Sequence, residues 1–204
     1  MRFFSRRNAV TLEQGVVVKR SQNEVALQRE AAALEVLHRS GLPVPRLVDK
    51  EKNALYLEYI QGIVYADLVD GISRPQALAL GRWLQAHHRL TGGLKGDVNL
   101  RNFLWTGTRC VGLDFEDPPF SGELEIDFGR AAAFAVTYRP AFTKRKARCL
   151  VMLLSVFLDL GGRADRIRTG YLTELEAMNR RRSKSIAPAQ AARFFDHCLE
   201  RVRR

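Results

Sequence analysis

The sequence predicts an α+β chain in two lobes, a small antiparallel sheet carrying one helix and then a larger helical lobe. Three observations lead there. Residues 1–60 hold short β-prone runs around a single amphipathic stretch, the residues after Gln61-Gly62 turn to helical periodicity, and a Gly-Asp loop with a following hairpin interrupts the helices. The division is expected at residues 1–60 and 61–204, and at 204 residues with 46% hydrophobic composition the chain can bury one good core or two small lobes sharing a cleft.

The elements follow in order. Phe3-Phe4, Val10 to Leu12 and Val16 to Lys19 read as strands, with Glu13-Gln14-Gly15 as a hairpin break. From Asn23 to Ser40, Val25, Leu27, Ala31, Leu34, Leu37 and His38 recur at helical spacing until Gly41 and Pro43 stop the helix. Arg46 to Asp49 and Ala54 to Ile60 are the next strands. A helix then runs from Ser73, with Pro75 in its first turn and Ala77, Leu80, Leu84 and His87 on one face, to Gly92-Gly93. Phe103 to Trp105 and Cys110 to Phe115 form a second hairpin across Thr106-Gly107-Thr108. From Glu123 the chain is helical, with breaks near Pro140, Gly161-Gly162 and Arg180 to Pro188, and the apolar piece Leu150 to Leu160 is expected to be buried.

Composition narrows the function classes. The longest apolar stretch, Cys149 to Leu158, is far short of the ~20 residues a membrane span needs. Polar residues 8, 11, 13 and 14 stand where a signal peptide keeps its apolar segment, so a cytoplasmic protein is expected. Cys110, Cys149 and Cys198 lack metal-ligand spacing and suit buried free thiols. No Gly-x-x-x-x-Gly-Lys loop and no Gly-x-Ser-x-Gly elbow is present. A net charge of +11 implies an anionic partner, a nucleotide, RNA, a phosphorylated substrate or an anionic surface. The densest basic run, Arg180-Arg181-Arg182 with Lys184, reads as a solvated loop or a contact for protein or RNA.

The segment Gly96-Asp97-Val98-Asn99-Leu100-Arg101-Asn102, followed by the hairpin and Leu113-Asp114-Phe115, carries the chemistry. Phosphoryl transfer needs an aimed nucleophile and neutralised phosphate charge more than covalent help. Asp97 can accept the proton of an attacking hydroxyl, and the amide of Asn102 and the carboxylate of Asp114 can hold a hard cation such as Mg2+. The competing reading of Asp97 is a loop carboxylate making a turn hydrogen bond. Ile126-Asp127-Phe128-Gly129 spells a second Asp-Phe-Gly, but it lies 25 residues beyond Asn102 at the entry to a helix. That distance is too long for a tight hairpin, so Asp114 is taken as the metal ligand.

In their order, these motifs resemble the protein-kinase-like superfamily, from about Val16 to Ala135. Val16-Val17-Val18-Lys19 is similar to the kinase strand whose lysine holds ATP phosphates, and Glu30 occupies the place of its partner. Leu57-Glu58-Tyr59-Ile60-Gln61-Gly62 resembles the hinge of aminoglycoside phosphotransferases and lipopolysaccharide core kinases, where backbone groups meet adenine. Gly41-Leu42-Pro43-Val44-Pro45-Arg46 looks like their preceding linker. The compact size and basic C-terminus resemble the small atypical kinase of the tRNA threonylcarbamoylation complex. The resemblance implies a bilobal kinase-like fold binding ATP and Mg2+ through Lys19, Glu30, Glu58, Tyr59, Ile60, Asn102 and Asp114. In it, Asp97 is the base and Asp127 a buttress for the catalytic loop. The acceptor hydroxyl, on a small molecule, an envelope sugar or a protein, stays open.

Three departures stand out. The first hairpin offers only Ser5-Arg6-Arg7-Asn8 and Glu13-Gln14-Gly15 in place of a glycine-rich phosphate loop, so Arg6 or Arg7 would share the phosphates with Lys19. Lys95 replaces the usual histidine and Glu116 the usual glycine. Lys95 would either repack the loop or add charge near the phosphates, and Glu116 would either bind metal or face solvent. A pseudokinase scaffold and a plain RNA-binding protein are the rival readings.

Overall fold

The computed structural model describes residues 2–3, 8–182 and 186–203. Phe4, Ser5, Arg6, Arg7 and Lys184 lie outside the described residues. The N-terminal sheet contains β1 (Arg2–Phe3), β2 (Ala9–Glu13), β3 (Val16–Arg20), β4 (Leu47–Glu51) and β5 (Ala54–Glu58), all antiparallel in the order β1-β2-β3-β5-β4. The β2–β3 turn is tight because Gln14 and Gly15 both take positive φ, 49° and 82°, matching the strand twist.

One helix, α1 (Glu24–Arg39), lies against the sheet. Asn23 caps it by accepting from the Ala26 amide, and Leu27, Ala31, Leu34 and Leu37 bury one stripe while Glu30 goes inward with them. A buried charge in that stripe needs a partner, and Lys19 supplies it. The linker after α1 is tied to the helical lobe, because the Pro43 carbonyl accepts from both Gly112 N (3.1 Å) and Trp83 Nε1 (2.8 Å).

The second lobe opens differently from the sequence expectation, which passed directly to helices. Ile63–Val64 forms β6 and Tyr65–Leu68 forms α2. A strand this short shows no alternation; it exists because β7 (Phe103–Trp105) offers an edge, with Ile63 opposite Trp105 and Val64 opposite Leu104. β8 (Cys110–Gly112) completes a three-stranded sheet, β6-β7-β8. It ends earlier than the expected Phe115, because Asp114 turns to φ 61° and leaves the extended region.

The remaining elements are α3 (Arg74–Thr91), α4 (Leu124–Thr137), α5 (Lys144–Asp159), α6 (Ala164–Arg182) and α7 (Pro188–Val202). α3 starts with Gln76 Oε1 accepting from Ser73 N and ends at Gly92, φ 68°. α5 packs on α3, α4 and α7 and buries Leu150, Leu153, Leu154, Val156 and Phe157. Arg180 and Arg181 belong to the end of α6 rather than to a loop. Cys110, Cys149 and Cys198 are buried and unpaired. Among the described residues no helix is long and apolar enough to cross a membrane.

Candidate active site

The loop between α3 and β7 is held by three buried apolar residues. Val98, Leu100 and Phe103 are fully buried, which turns Asp97, Asn99 and Arg101 outward. Gly96 permits the turn at φ 80°, where a Cβ would also sit 2.4 Å from the Phe120 ring. Asn99 then caps a 3-10 turn, Leu100–Asn102, by accepting from Arg101 N at 3.1 Å. The result fixes Asp97 against Asn102: Asn102 Nδ2 donates to Asp97 Oδ2 at 3.0 Å, and Asn99 N donates to Asp97 Oδ1 at 3.2 Å. With its nitrogen committed to Asp97, the Asn102 amide has its oxygen for other partners.

The β7–β8 hairpin returns the chain to this loop, where Leu113 N donates to Asn102 O at 2.8 Å and Asp114 follows immediately. Lys19 reaches the same place from β3. Its ammonium lies 2.6 Å from Glu30, 3.2 Å from Asp114 and 2.8 Å from Glu116. Burial alone would lower the Lys19 pKa, but Glu30, Asp114 and Glu116 hold it well above the ordinary lysine value, so it stays charged. Glu30 also accepts from Phe115 N at 3.3 Å, locking α1 to the segment after Asp114. Glu116, left open between metal and solvent by the sequence, is half-buried and bound to Lys19 and to the Asn8 side chain.

Lys95 is the residue whose place sequence reasoning settled least. It is 5% exposed, its ammonium donates to the carbonyls of Asp97 (3.1 Å) and Asp114 (2.9 Å), and it stands 4.9 Å from the Phe115 ring centre. Its ammonium packs the loop, tying the two carboxylate-bearing segments by their backbones, and it also lines the cavity they border. Burial pushes its pKa down, opposed by Asp97 and Asp114.

The second Asp-Phe-Gly is a structural segment of α4. Asp127, 2% exposed, accepts from the amides of Lys95 (2.7 Å) and Gly96 (3.3 Å), which holds the loop from below. Gly129 faces the backbone of α6, where a Cβ would lie 2.3 Å from Ile167 O and 2.4 Å from Tyr171 N.

Asp97, Asn102, Asp114 and Glu116 line one open cavity of about 1640 Å³. It is lined both by α1, through Arg29, Ala33 and Val36, and by the helical lobe, and the described residues lining it do not include Lys19, Glu58, Tyr59 or Ile60. Lys19 borders it through Asp114, whereas Glu58 and Tyr59 are exposed at the end of β5, with Glu58 accepting from Arg46 N at 3.1 Å. The oxygens of Asn102, Asp114 and Glu116 are hard donors of the kind that suit Mg2+. Carboxylate oxygens of Glu30, Asp114 and Glu116 lie within 4.8 Å of one another.

His87 backs the site. It is 2% exposed, stacks on Trp83 and Phe115, and its Nδ1 is without a hydrogen-bond partner. Burial, with help from the Lys95 charge, pushes its pKa down to about 4, so it is neutral when folded but titrates normally when unfolded. The unfolded chain therefore binds the extra proton as pH falls. His87 should cost on the order of 1 kcal/mol of stability per pH unit from roughly pH 6.5 down toward pH 4. His87→Leu should flatten that part of the curve in urea unfolding at pH 7 to 4.5; equal slopes would remove His87 as the cause.

Comparison with known proteins separates sequence likeness from fold likeness. Residues 5–117 match the RIO domain family. The EKC/KEOPS complex subunit BUD32 of Encephalitozoon cuniculi is 30% identical over 90 residues, 43% of this chain and 45% of that protein. The BUD32 homolog of Archaeoglobus fulgidus is 27% identical over 111 residues, 53% and 55%. The chain thus spans about half the length of the curated relatives it matches. By fold it is similar to APH(2″)-IIa in a ternary complex with streptomycin and ATP, with a TM-score of 0.65, 13% identity and coverage of 86% and 82%. It is also similar to a choline/ethanolamine kinase family protein from Mesorhizobium loti, with a TM-score of 0.63, 14% identity and coverage of 98% and 86%.

Proposed function

Because the chain belongs to the RIO domain family of the protein-kinase-like superfamily, we propose that it is an ATP-dependent phosphotransferase acting on a hydroxyl group in the cytoplasm. One observation carries this reading: Lys19, from the sheet, meets Asp114 at 3.2 Å on the rim of the cavity that Asp97 and Asn102 also line.

Lys19, oriented by Glu30, pairs with the phosphates of ATP, and the backbone of Glu58 to Ile60 meets the adenine. Asn102 and Asp114 would hold Mg2+, which would neutralise phosphate charge when bound. Asp97, fixed by Asn102 and Asn99, accepts the proton of the acceptor hydroxyl as its oxygen bonds to the γ-phosphorus. The bond from that phosphorus to the bridging oxygen breaks, and ADP leaves. Lys95 and Asp127 keep the loop in place from its buried side.

Saturating ATP with Mg2+ should raise the melting temperature by about 5–10 °C, the shift expected near 100 Kd for a domain of this size. Asp114→Ala should lose that shift. No shift in the wild-type chain would favour the second reading, an assembly scaffold that keeps the fold. That reading is motivated by Glu116 and Asp114 already pairing with Lys19 and by the E. cuniculi relative being named a complex subunit. Its partner would be a protein or RNA meeting the basic C-terminal region.

A further inference from the structure

We propose that Glu116 is a lock on the nucleotide site: its carboxylate and the nucleotide phosphates compete for the Lys19 ammonium, so Glu116 sets how tightly a nucleotide binds. This deepens the phosphotransferase reading and rests on it for the role of Lys19.

Counting donors gives the reason. An ammonium has three N–H groups and accepts nothing. Three carboxylates stand around that of Lys19, Glu30 at 2.6 Å, Glu116 at 2.8 Å and Asp114 at 3.2 Å, so each donor already has a partner. Glu30 cannot be given up. It is 2% exposed and also accepts from Phe115 N, and without Lys19 it would be a buried charge with no cation. Pairing with two phosphates while staying on Glu30 therefore uses both remaining donors. Asp114, the longest of the three contacts and the most exposed side chain among them, has Mg2+ to turn to in the proposed reading. Glu116 has to be displaced. Until it is, the carboxylates outnumber the ammonium and repel an incoming phosphate.

The local fold puts Glu116 there and holds it. Asp114 turns the chain at φ 61°, Phe115 goes into the core beside Trp83 and His87, and Glu116 comes back out next to Lys19. Its side chain, 15% exposed, also accepts from Asn8 Nδ2, just before β2, and its carbonyl accepts from Arg29 Nη1, on α1, at 3.3 Å. Asn8, Lys19 and Arg29 come from three separate pieces of the N-terminal lobe and meet on this one residue of the other lobe. Displacing the Glu116 side chain thus releases Asn8 and Lys19 together, which couples nucleotide entry to loosening of the lobes. The glycine usual at this position has no side chain to do this, so the lock is a feature of this chain.

The test is calorimetry of MgADP binding to the full chain, since ADP brings two phosphates to Lys19 and does not turn over. Glu116→Gln keeps the size and removes the charge, and should bind MgADP about tenfold more tightly than wild type, the scale of one charge-assisted contact. Asn8→Ala leaves the carboxylate but removes one of its holds; it should shift affinity the same way by less, and it guards against a Glu116 variant that fails to fold. Asp117→Asn removes the neighbouring charge, exposed on the cavity wall, and should bind close to wild type. A gain there equal to that of Glu116→Gln would make the effect one of general charge and overturn the lock. Weaker binding by Glu116→Gln would make Glu116 a metal ligand, and unchanged binding would leave it a purely structural residue; either overturns the proposal while keeping the nucleotide site. Absence of MgADP binding in wild type and every variant up to about 10 mM would remove the nucleotide site and the lock together.

Discussion

Replacing Asp97 by asparagine is expected to lower phosphotransfer by about 10²–10⁴-fold, the usual contribution of a positioned general base. Asparagine keeps the size of the side chain and an oxygen to accept from Asn99 N, 3.2 Å from Asp97 Oδ1, while its amide nitrogen replaces the oxygen that accepts from Asn102 Nδ2, so one of the two loop contacts stays and the other is lost. What is lost is the negative oxygen that takes a proton. Stabilisation by MgATP should therefore persist in this variant, whereas Asp114→Ala should lose it. Steady-state assay of ADP formation with an identified acceptor, run beside the thermal shift, separates the two effects. Wild-type turnover in Asp97→Asn would return Asp97 to the role of a turn-forming loop carboxylate.

Gly129→Ala is expected to be the most destabilising single-methyl change in the helical lobe. Its Cβ would lie 2.3 Å from Ile167 O, 2.4 Å from Tyr171 N and 2.7 Å from Gly170 C. All three atoms are backbone, so no side chain can swing aside and α4 must move from α6. Overpacking commonly costs 1–3 kcal/mol, and with both helices rigid a loss of about 3 kcal/mol or more is expected, a fall of roughly 10 °C in Tm. Gly71→Ala, where the added methyl meets nothing within 4 Å, should change stability little. Equal urea midpoints for Gly129→Ala and wild type would show that α4 and α6 do not cross backbone to backbone. Moving α4 also displaces Asp127 from the amides of Lys95 and Gly96, so loss of activity should accompany loss of stability.

These two variants mark where legibility changes along the chain. The run from Gly96 to Asn102 is readable because the spacing of Asp97 and Asn102 is local, and the hairpin back to Asp114 needs only a short turn. The Asp-Phe-Gly at residues 127–129 shows the opposite. Its letters alone suggest a metal site, and only the distance from Asn102 and the resemblance point to the buttress that the carboxylate forms on two loop amides; the close approach of its glycine to α6 has no signal in the spacing. Lys95 and Glu116 were open for a related reason: which of their possible partners they take depends on segments brought together from distant parts of the chain. Glu116 meets Lys19 and Asn8 only because the two lobes close on one another.

The sequence by itself determined the α+β plan, the helices α1 and α3, the two hairpins and the candidate residues of the catalytic loop, with their kinase-like character implied by resemblance. Each of these rests on interactions within a few turns or a single strand pair, which residue spacing encodes directly. Only the tertiary structure decided the short strand β6, the early end of β8 before Asp114, the burial of Lys95 and the pairing of Glu116. Those depend on edge pairing, desolvation and charge proximity between residues far apart in the chain, and such energies exist only once the lobes have packed.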